Sequence, residues 1–234
     1  MFRFLFIRLD NIDGEVMGGG GRGAVGKGAA SGMHHVSLMD MGGTSLTEID
    51  IMTSDLSNLE IVGVEVHGIL GQSYYKDFDL LFDFRDKEIV LLNPDTTHQW
   101  LLNEGYRCQT VSGEMKGHLL TFECQVGGVP VILAFDSGAQ TNLLSSDWPQ
   151  LHPSTVKGIK KANLTGYGEG QASVTKGKTT LMLGNRAFKK LQTTFSDVSH
   201  FKESKGIDGL FGCEVLFKQK LLISYKRQEL ILID

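Results

Sequence analysis

An internal repeat constrains this chain more than any other feature. Residues 53–60 (TSDLSNLE) align with residues 195–202 (FSDVSHFK) at an offset of 142, and residues 66–92 align with residues 207–233 at an offset of 141. In the longer match Gly68, Gly71, Leu80, Leu81, Glu88 and Leu91 fall on Gly209, Gly212, Leu221, Leu222, Glu229 and Leu232. One single-residue gap relates the two offsets, and punctuation shared over about 40 positions exceeds what two unrelated β-rich segments show. Such a chain is expected to fold as two copies of one unit. The expected division is a first lobe over residues 1–92, a linker over 93–105 and a second lobe over 106–234. The linker opens on Asn93-Pro94-Asp95 and carries a short helical piece near Trp100.

Twenty-nine glycines against four prolines point to many turns and close backbone approaches, as in β-rich folds. In the second lobe a hairpin is expected over 106–126, a turn at Gly127-Gly128 and a strand over 129–135. Strand-like runs follow at 172–174, 179–183 and 191–195. The segment after Gly212 (CEVLFKQ) reads as a short helix, and strands at 221–225 and 229–233 close the lobe.

Residues 131–145 (VILAFDSGAQTNLLS) hold the chemistry. An apolar strand delivers one carboxylate, Asp136, into a Ser-Gly-Ala turn. An acid that activates water needs a rigid, water-excluding approach and a turn tight enough for two such turns to meet. Gly138 permits that turn, and the Ser137 hydroxyl can bond the neighbouring one. As a bare tripeptide, Asp-Ser-Gly is also a common surface turn. A second element follows about 70 residues later: residues 207–212 (IDGLFG), whose glycines let backbones cross closely. Asp208 reads as a structural turn carboxylate, since His67 takes its place in the first copy.

Strand-Asp-Ser-Gly-Ala together with the later apolar-Asp-Gly-apolar-apolar-Gly resembles the retropepsin-like (clan AA) aspartic proteases, in the form of a bacterial-type enzyme with two tandem lobes, the first truncated. The resemblance covers the second lobe in full and part of the first. It implies an all-β fold, a retropepsin/pepsin-like acid protease β-barrel in two tandem lobes with short helices. It implies an aspartic-type endopeptidase acting on polypeptide substrates by Asp-activated water, with no cofactor or metal. By the same resemblance Asp136, Ser137 and Gly138 would carry the catalytic positions. Ala139, Tyr167 and Gly168 would be the substrate-binding ones, the last two in a glycine-rich stretch (164–170) that falls where such lobes carry a flap. A simple surface loop fits that stretch equally well.

The first lobe matches only the later part of this plan. Subtracting 142 from 136 gives −6, so the counterpart of Asp136 falls upstream of Met1, and neither Asp10 nor Asp13 is followed by Ser/Thr-Gly-Ala. Two expectations stand side by side. In one, a homodimer through the second lobe supplies the second Asp136. In the other, the chain is an inactive pseudo-protease that binds extended peptides or a partner.

Composition excludes other classes. A net charge of −4 without a basic stripe argues against nucleic acid. The apolar run at 4–7 is too short for a membrane span or a signal peptide, so the location reads as cytoplasmic by default, or exported if the start is internal. Residues 21–27 spell the front of a phosphate-binding loop, but Gly28 stands where a hydroxyl is needed. The His34-His35 pair lacks acidic or thiol company at ligand spacing along the sequence. Cys108 and Cys124 flank the turn of the expected hairpin, where a disulfide and two reduced thiols both fit, leaving Cys213 single.

Overall fold

The structure, a computed structural model, describes residues 32–40, 45–53, 70–165 and 171–234. The expectations for residues 1–31, 54–69 and 166–170, including Tyr167, Gly168 and the glycine-rich tract near the chain start, lie outside the described residues. The chain divides into two compact units, Met1–Ile69 with Asn163–Ser173 and Leu70–Ala162 with Val174–Asp234. Thus the segment from Leu70 to Leu92, placed with the first lobe on sequence, folds in the same unit as the second.

In chain order the described elements are β1 (Gly32–Asp40), β2 (Ser45–Thr53), α1 (Gln72–Tyr75), β3 (Asp79–Asp83), β4 (Glu88–Leu92) and α2 (Thr97–Asn103). Then come β5 (Cys108–Ser112), β6 (Glu114–Lys116), β7 (Leu119–Val126), β8 (Val129–Phe135), β9 (Asn142–Ser145) and α3 (Trp148–Leu151). The remainder are β10 (Lys157–Thr165), β11 (Gln171–Leu183), β12 (Arg186–Ser196), α4 (Ser199–Lys205), β13 (Gly209–Phe211), α5 (Cys213–Leu216), β14 (Lys220–Ser224) and β15 (Glu229–Ile233). The expected all-β class with short helices is the observed one.

An eight-stranded sheet runs β10-β11-β12-β9-β13-β8-β7-β6, in the second unit except where β10 and β11 enter 163–173, and β11 also pairs with β7 through Leu181↔Val126 to Leu183↔Cys124. That extra pairing closes six strands into a barrel. Its filling is apolar: Leu120, Phe122, Leu133, Leu144, Leu181, Leu191, Phe195 and Phe211 are all 2% exposed or less. The alternation iBBBeBeB along β7 is the signature of a strand with one face in that core.

A second, antiparallel sheet runs β4-β3-β14-β15-β5. One face gives Leu80, Phe82, Leu221, Ile223, Leu230 and Leu232 to the main core. The other gives Leu81, Leu222, Ile231 and Ile233 to a smaller cluster under Leu101 of α2, with Trp100 against it. The sheet has a local two-fold axis. Leu81 pairs with Leu222, which lies 141 positions later, and Leu80↔Ile223 and Phe82↔Leu221 exchange under the same offset. The hairpin Asp79↔Leu92 becomes Lys220↔Ile233 on adding 141 to both residues. Even the turns correspond: Lys87 and Gln228 both have positive φ, at 61° and 53°. Asp83 Oδ1 accepts the Asp86 N–H at 3.1 Å, where Ser224 Oγ accepts the Arg227 N–H at 3.2 Å.

In the first unit β1 and β2 form an antiparallel ladder from Gly32↔Thr53 to Asp40↔Ser45. Adding 142 turns Met39↔Leu46 and Asp40↔Ser45 into Leu181↔Phe188 and Met182↔Ala187, both observed pairs of β11 and β12. Pairing also supplies what sequence spacing did not. His35 has Asp50 opposite it, and its Nδ1 lies 3.0 Å from Asp50 Oδ1 while Nε2 lies 2.8 Å from Glu48 Oε2. The side-chain bonds to Asp50 and then Glu48 hold this imidazole above its ordinary pKa.

The hairpin expected over 106–126 needs correction. β5 pairs with β15 in one sheet, and only β6 turns back on β7 in the other. Gly113 is the crossing point: a Cβ there would lie 2.7 Å from both the Phe122 ring and the Thr121 carbonyl oxygen. Cys108 and Cys124 therefore sit in different sheets, and all three cysteines are free. Burial pushes the Cys124 thiol up to about 12. No described helix is long and apolar enough to cross a membrane.

Candidate active site

β8 and β9 are consecutive in sequence but not neighbours in the sheet. β13 lies between them, parallel to β8 through Gly209↔Leu133 and antiparallel to β9 through Gly209↔Leu144. The connection from Asp136 to Thr141 must therefore bridge the end of β13. That bridge is the Asp-Ser-Gly-Ala turn.

Every bond of the bridge can be traced. The Asp136 N–H donates to the Phe211 carbonyl at 3.1 Å, and the Ala139 N–H closes the turn on the Asp136 carbonyl at 3.2 Å. The Asp136 Oδ1 accepts the Gly138 N–H at 2.8 Å, an Asx-type bond that fixes the carboxylate. On the far side the Cys213 N–H donates to the Ala139 carbonyl at 2.8 Å. The Gly212 N–H donates to Asn142 Oδ1 at 3.1 Å, and Asn142 is 2% exposed. Thr141 and Thr194 share a hydroxyl–hydroxyl bond at 2.8 Å.

The two glycines of the later motif are required by this crossing. A Cβ on Gly209 would overlap the Leu143 carbonyl oxygen, and one on Gly212 would overlap the Ala139 carbonyl oxygen and lie 2.9 Å from that of Thr141. Asp208 has the structural role expected of it. It takes the Ile132 N–H on Oδ2 at 2.8 Å, donates its own N–H to the Ile132 carbonyl at 2.8 Å, and pairs with Lys202.

Asp136 is partly buried, whereas Ser137 and Gly138 are exposed and Ala139 is partly covered. Burial raises the Asp136 carboxyl above the ordinary carboxylate range, against the opposing pull of the Gly138 and Ala139 N–H groups. No second carboxylate perturbs it among the described residues. Two neighbours escaped the sequence reading. Burial and then the Asp136 charge push the Tyr225 hydroxyl up. Cys213 is likewise raised, by burial first, then Glu214, with Asp136 contributing. Tyr225 follows β14, 89 positions after Asp136, so only the folded sheet brings it near.

The raised carboxyl has a thermodynamic consequence. A folded-state value above the unfolded one contributes stability below the ordinary carboxylate pKa, and that contribution is lost as pH rises through the raised value. Asp136→Asn is therefore expected to melt above wild type at neutral pH and level with it near pH 3. Thermal melts of both proteins across that range check the sign.

No family model matches the chain, and no curated protein matches it either. Among solved structures it is similar to a retropepsin-like aspartic protease from Rickettsia conorii, at 18% identity and a TM-score of 0.37, over 55% of this chain and 94% of that one. It is also similar to the EIAV protease complexed with the inhibitor HBY-793, at 18% identity and a TM-score of 0.32, over 45% of this chain and 88% of that one.

Proposed function

We propose that this chain carries an aspartic-type endopeptidase site in which Asp136 is one of two required carboxylates. The observation that supports it is the Asp136 bridge over β13: a carboxylate with a raised pKa, fixed by the Gly138 N–H, at the mouth of a water-excluding strand. In such a site two acids share one proton, because like charges about 3 Å apart do not both ionise. The ionised one takes a proton from water as it attacks the peptide carbonyl, and the neutral one donates to the carbonyl oxygen. In this reading Ser137, exposed on the turn, would bond the turn of a second site half, and Ala139, Tyr167 and Gly168 are the proposed substrate-binding residues.

The second carboxylate comes from a second chain in this reading. A homodimer through the second lobe is one source, and it meets an obstacle. β14, the strand beside the local two-fold, is already paired with β3 of its own chain over Ser224↔Asp79 to Leu221↔Phe82. That occupied edge favours the second reading, a pseudo-protease that binds extended peptides without cutting them. A peptide with a hydroxyl-bearing carbon in place of the scissile carbonyl tests whether Asp136 lies in the binding site under either reading. Calorimetric binding by wild type, weakened at least about tenfold in Asp136→Asn, is the expected result. Equal affinities would remove Asp136 from the binding site.

A further inference from the structure

Across β1 and β2 one imidazole is shared between two carboxylates. Alternate residues of a strand lie on one face, so Glu48 and Asp50 sit side by side, with His35 opposite Asp50 and diagonal to Glu48. The ring divides its nitrogens between them, Nδ1 at 3.0 Å from Asp50 Oδ1 and Nε2 at 2.8 Å from Glu48 Oε2. Bonding two ionised carboxylates at once takes an N–H on each nitrogen, which only the protonated imidazole has. No other charged group acts on this ring among the described residues. Nor could any group of such side chains among them hold a metal ion, so the species that joins these three is a proton.

The backbone beneath these side chains is irregular at one place. Glu48 has φ 50°, in the left-handed region that a glutamate rarely occupies. The ladder is regular from Gly32↔Thr53 to Val36↔Ile49 and resumes at Leu38↔Thr47; the pair it skips is Ser37 with Glu48. Lys190, 142 positions later, has the same conformation at φ 59°. There the register shifts between Thr179↔Leu191 and Leu181↔Phe188, and the extra residue on β12 forms a bulge that absorbs the turn of the chain. No register shift accommodates Glu48, whose conformation is accompanied instead by its bond to His35.

We propose that His35, Glu48 and Asp50 form a pH-sensitive switch that holds the irregular β1–β2 ladder in acid and lets it become regular in alkali. With the proton bound, both carboxylates are tied to β1, and Glu48 stays in the left-handed region. When the proton leaves, one nitrogen loses its N–H and one of the two bonds is lost. Glu48 then relaxes to ordinary strand geometry and pairs with Ser37. The bond to Asp50, and then the one to Glu48, raise the imidazole above its ordinary value. Such a group contributes stability that is fully present below about pH 6.5 and is lost as pH rises through the raised value. The switch lies within the first unit and does not depend on Asp136 being catalytic.

The test is an NMR titration of the full chain from about pH 5 to 9. The His35 ring signals, assigned by their loss in His35→Gln, are expected to titrate with a midpoint above about 6.5. The Glu48 α-carbon shift, which reports backbone conformation, should move from left-handed toward strand values with the same midpoint. In His35→Gln that α-carbon shift should stay level across the range. Replacing both carboxylates, Glu48→Gln with Asp50→Asn, should return the His35 midpoint to about 6.5. A wild-type midpoint at or below 6.5 overturns the proposal, and so does a Glu48 α-carbon shift that does not follow His35. The wild-type titration needs no substitution, so a variant that fails to fold does not hide the answer.

Discussion

Gly212→Ala is expected to destabilise the chain by about 3 kcal/mol, while Gly71→Ala, its counterpart 141 residues earlier, is expected to be close to neutral. The two glycines have the same backbone, φ −102° and ψ −171° at Gly71 against φ −106° and ψ −167° at Gly212, and each precedes a four-residue helix. Neither angle demands glycine, so conformational freedom does not separate them. Surroundings do. Gly212 lies under the carbonyls of Ala139 and Thr141, and an added methyl there overlaps the first of them. Among the described residues nothing lies within 4 Å of a Cβ on Gly71. To accept Gly212→Ala, the bridge must lift off β13. The Cys213-to-Ala139 and Gly212-to-Asn142 bonds then weaken, and Asp136 moves with them. Urea unfolding of the two variants tests the contrast. Equal losses would mean that the bridge is not seated on Gly212.

Arg227→Met is expected to cost about 3–5 kcal/mol, the loss typical of a buried ion pair deprived of one partner. Arg227 is the hub of the second sheet's polar edge. Its Nη2 pairs with Asp79, its Nε with Glu229, and its Nη1 donates to the Pro94 carbonyl at 2.7 Å. One guanidinium therefore ties β3, β15 and the linker together. Asp79 is 0% exposed, and its Oδ1 has no hydrogen-bond partner, so without Arg227 a carboxylate is stranded in the interior. Adding Asp79→Asn to Arg227→Met should recover part of the loss, because the uncompensated charge goes with it. A double-mutant cycle by urea denaturation reads that coupling. Strict additivity would show that the pair is not energetically linked.

Asp136 was legible because local chemistry announces it: five core-facing or partly covered residues run straight into a turn-forming triplet. The glycines at 209 and 212 were legible as a motif, but their reason was not. It lies in the insertion of β13 between β8 and β9, a pairing across 76 residues for Gly209↔Leu133. Asn142 and Thr194 were missed for the same cause, although a buried asparagine heading an apolar run is itself a signal of a backbone partner.

β10 was missed because it is a lysine-rich edge strand, whose exposed face erases the period-two pattern. α4 has no buried residue, so no apolar stripe marks it. It is set instead by the Asp197 carboxylate accepting the Ser199 N–H at 2.9 Å and by Gly206 in the left-handed region at φ 65°. The repeat reached further than its sequence match. The common register of the β1–β2 and β11–β12 hairpins survives in pairs such as Asp40↔Ser45 and Met182↔Ala187, which share no side-chain chemistry. Pairing geometry outlasted residue identity there.

Hydrolysis tests most directly the proposal that Asp136 is a reacting carboxylate. The measurement is cleavage of an unfolded casein-like substrate from about pH 3 to 7 by wild type and Asp136→Asn side by side. Wild type is expected to cleave it with an acidic optimum set by two carboxylates sharing a proton, and the variant about 10³-fold or more slowly. Cleavage that persists undiminished in Asp136→Asn, or none by either protein, would contradict it.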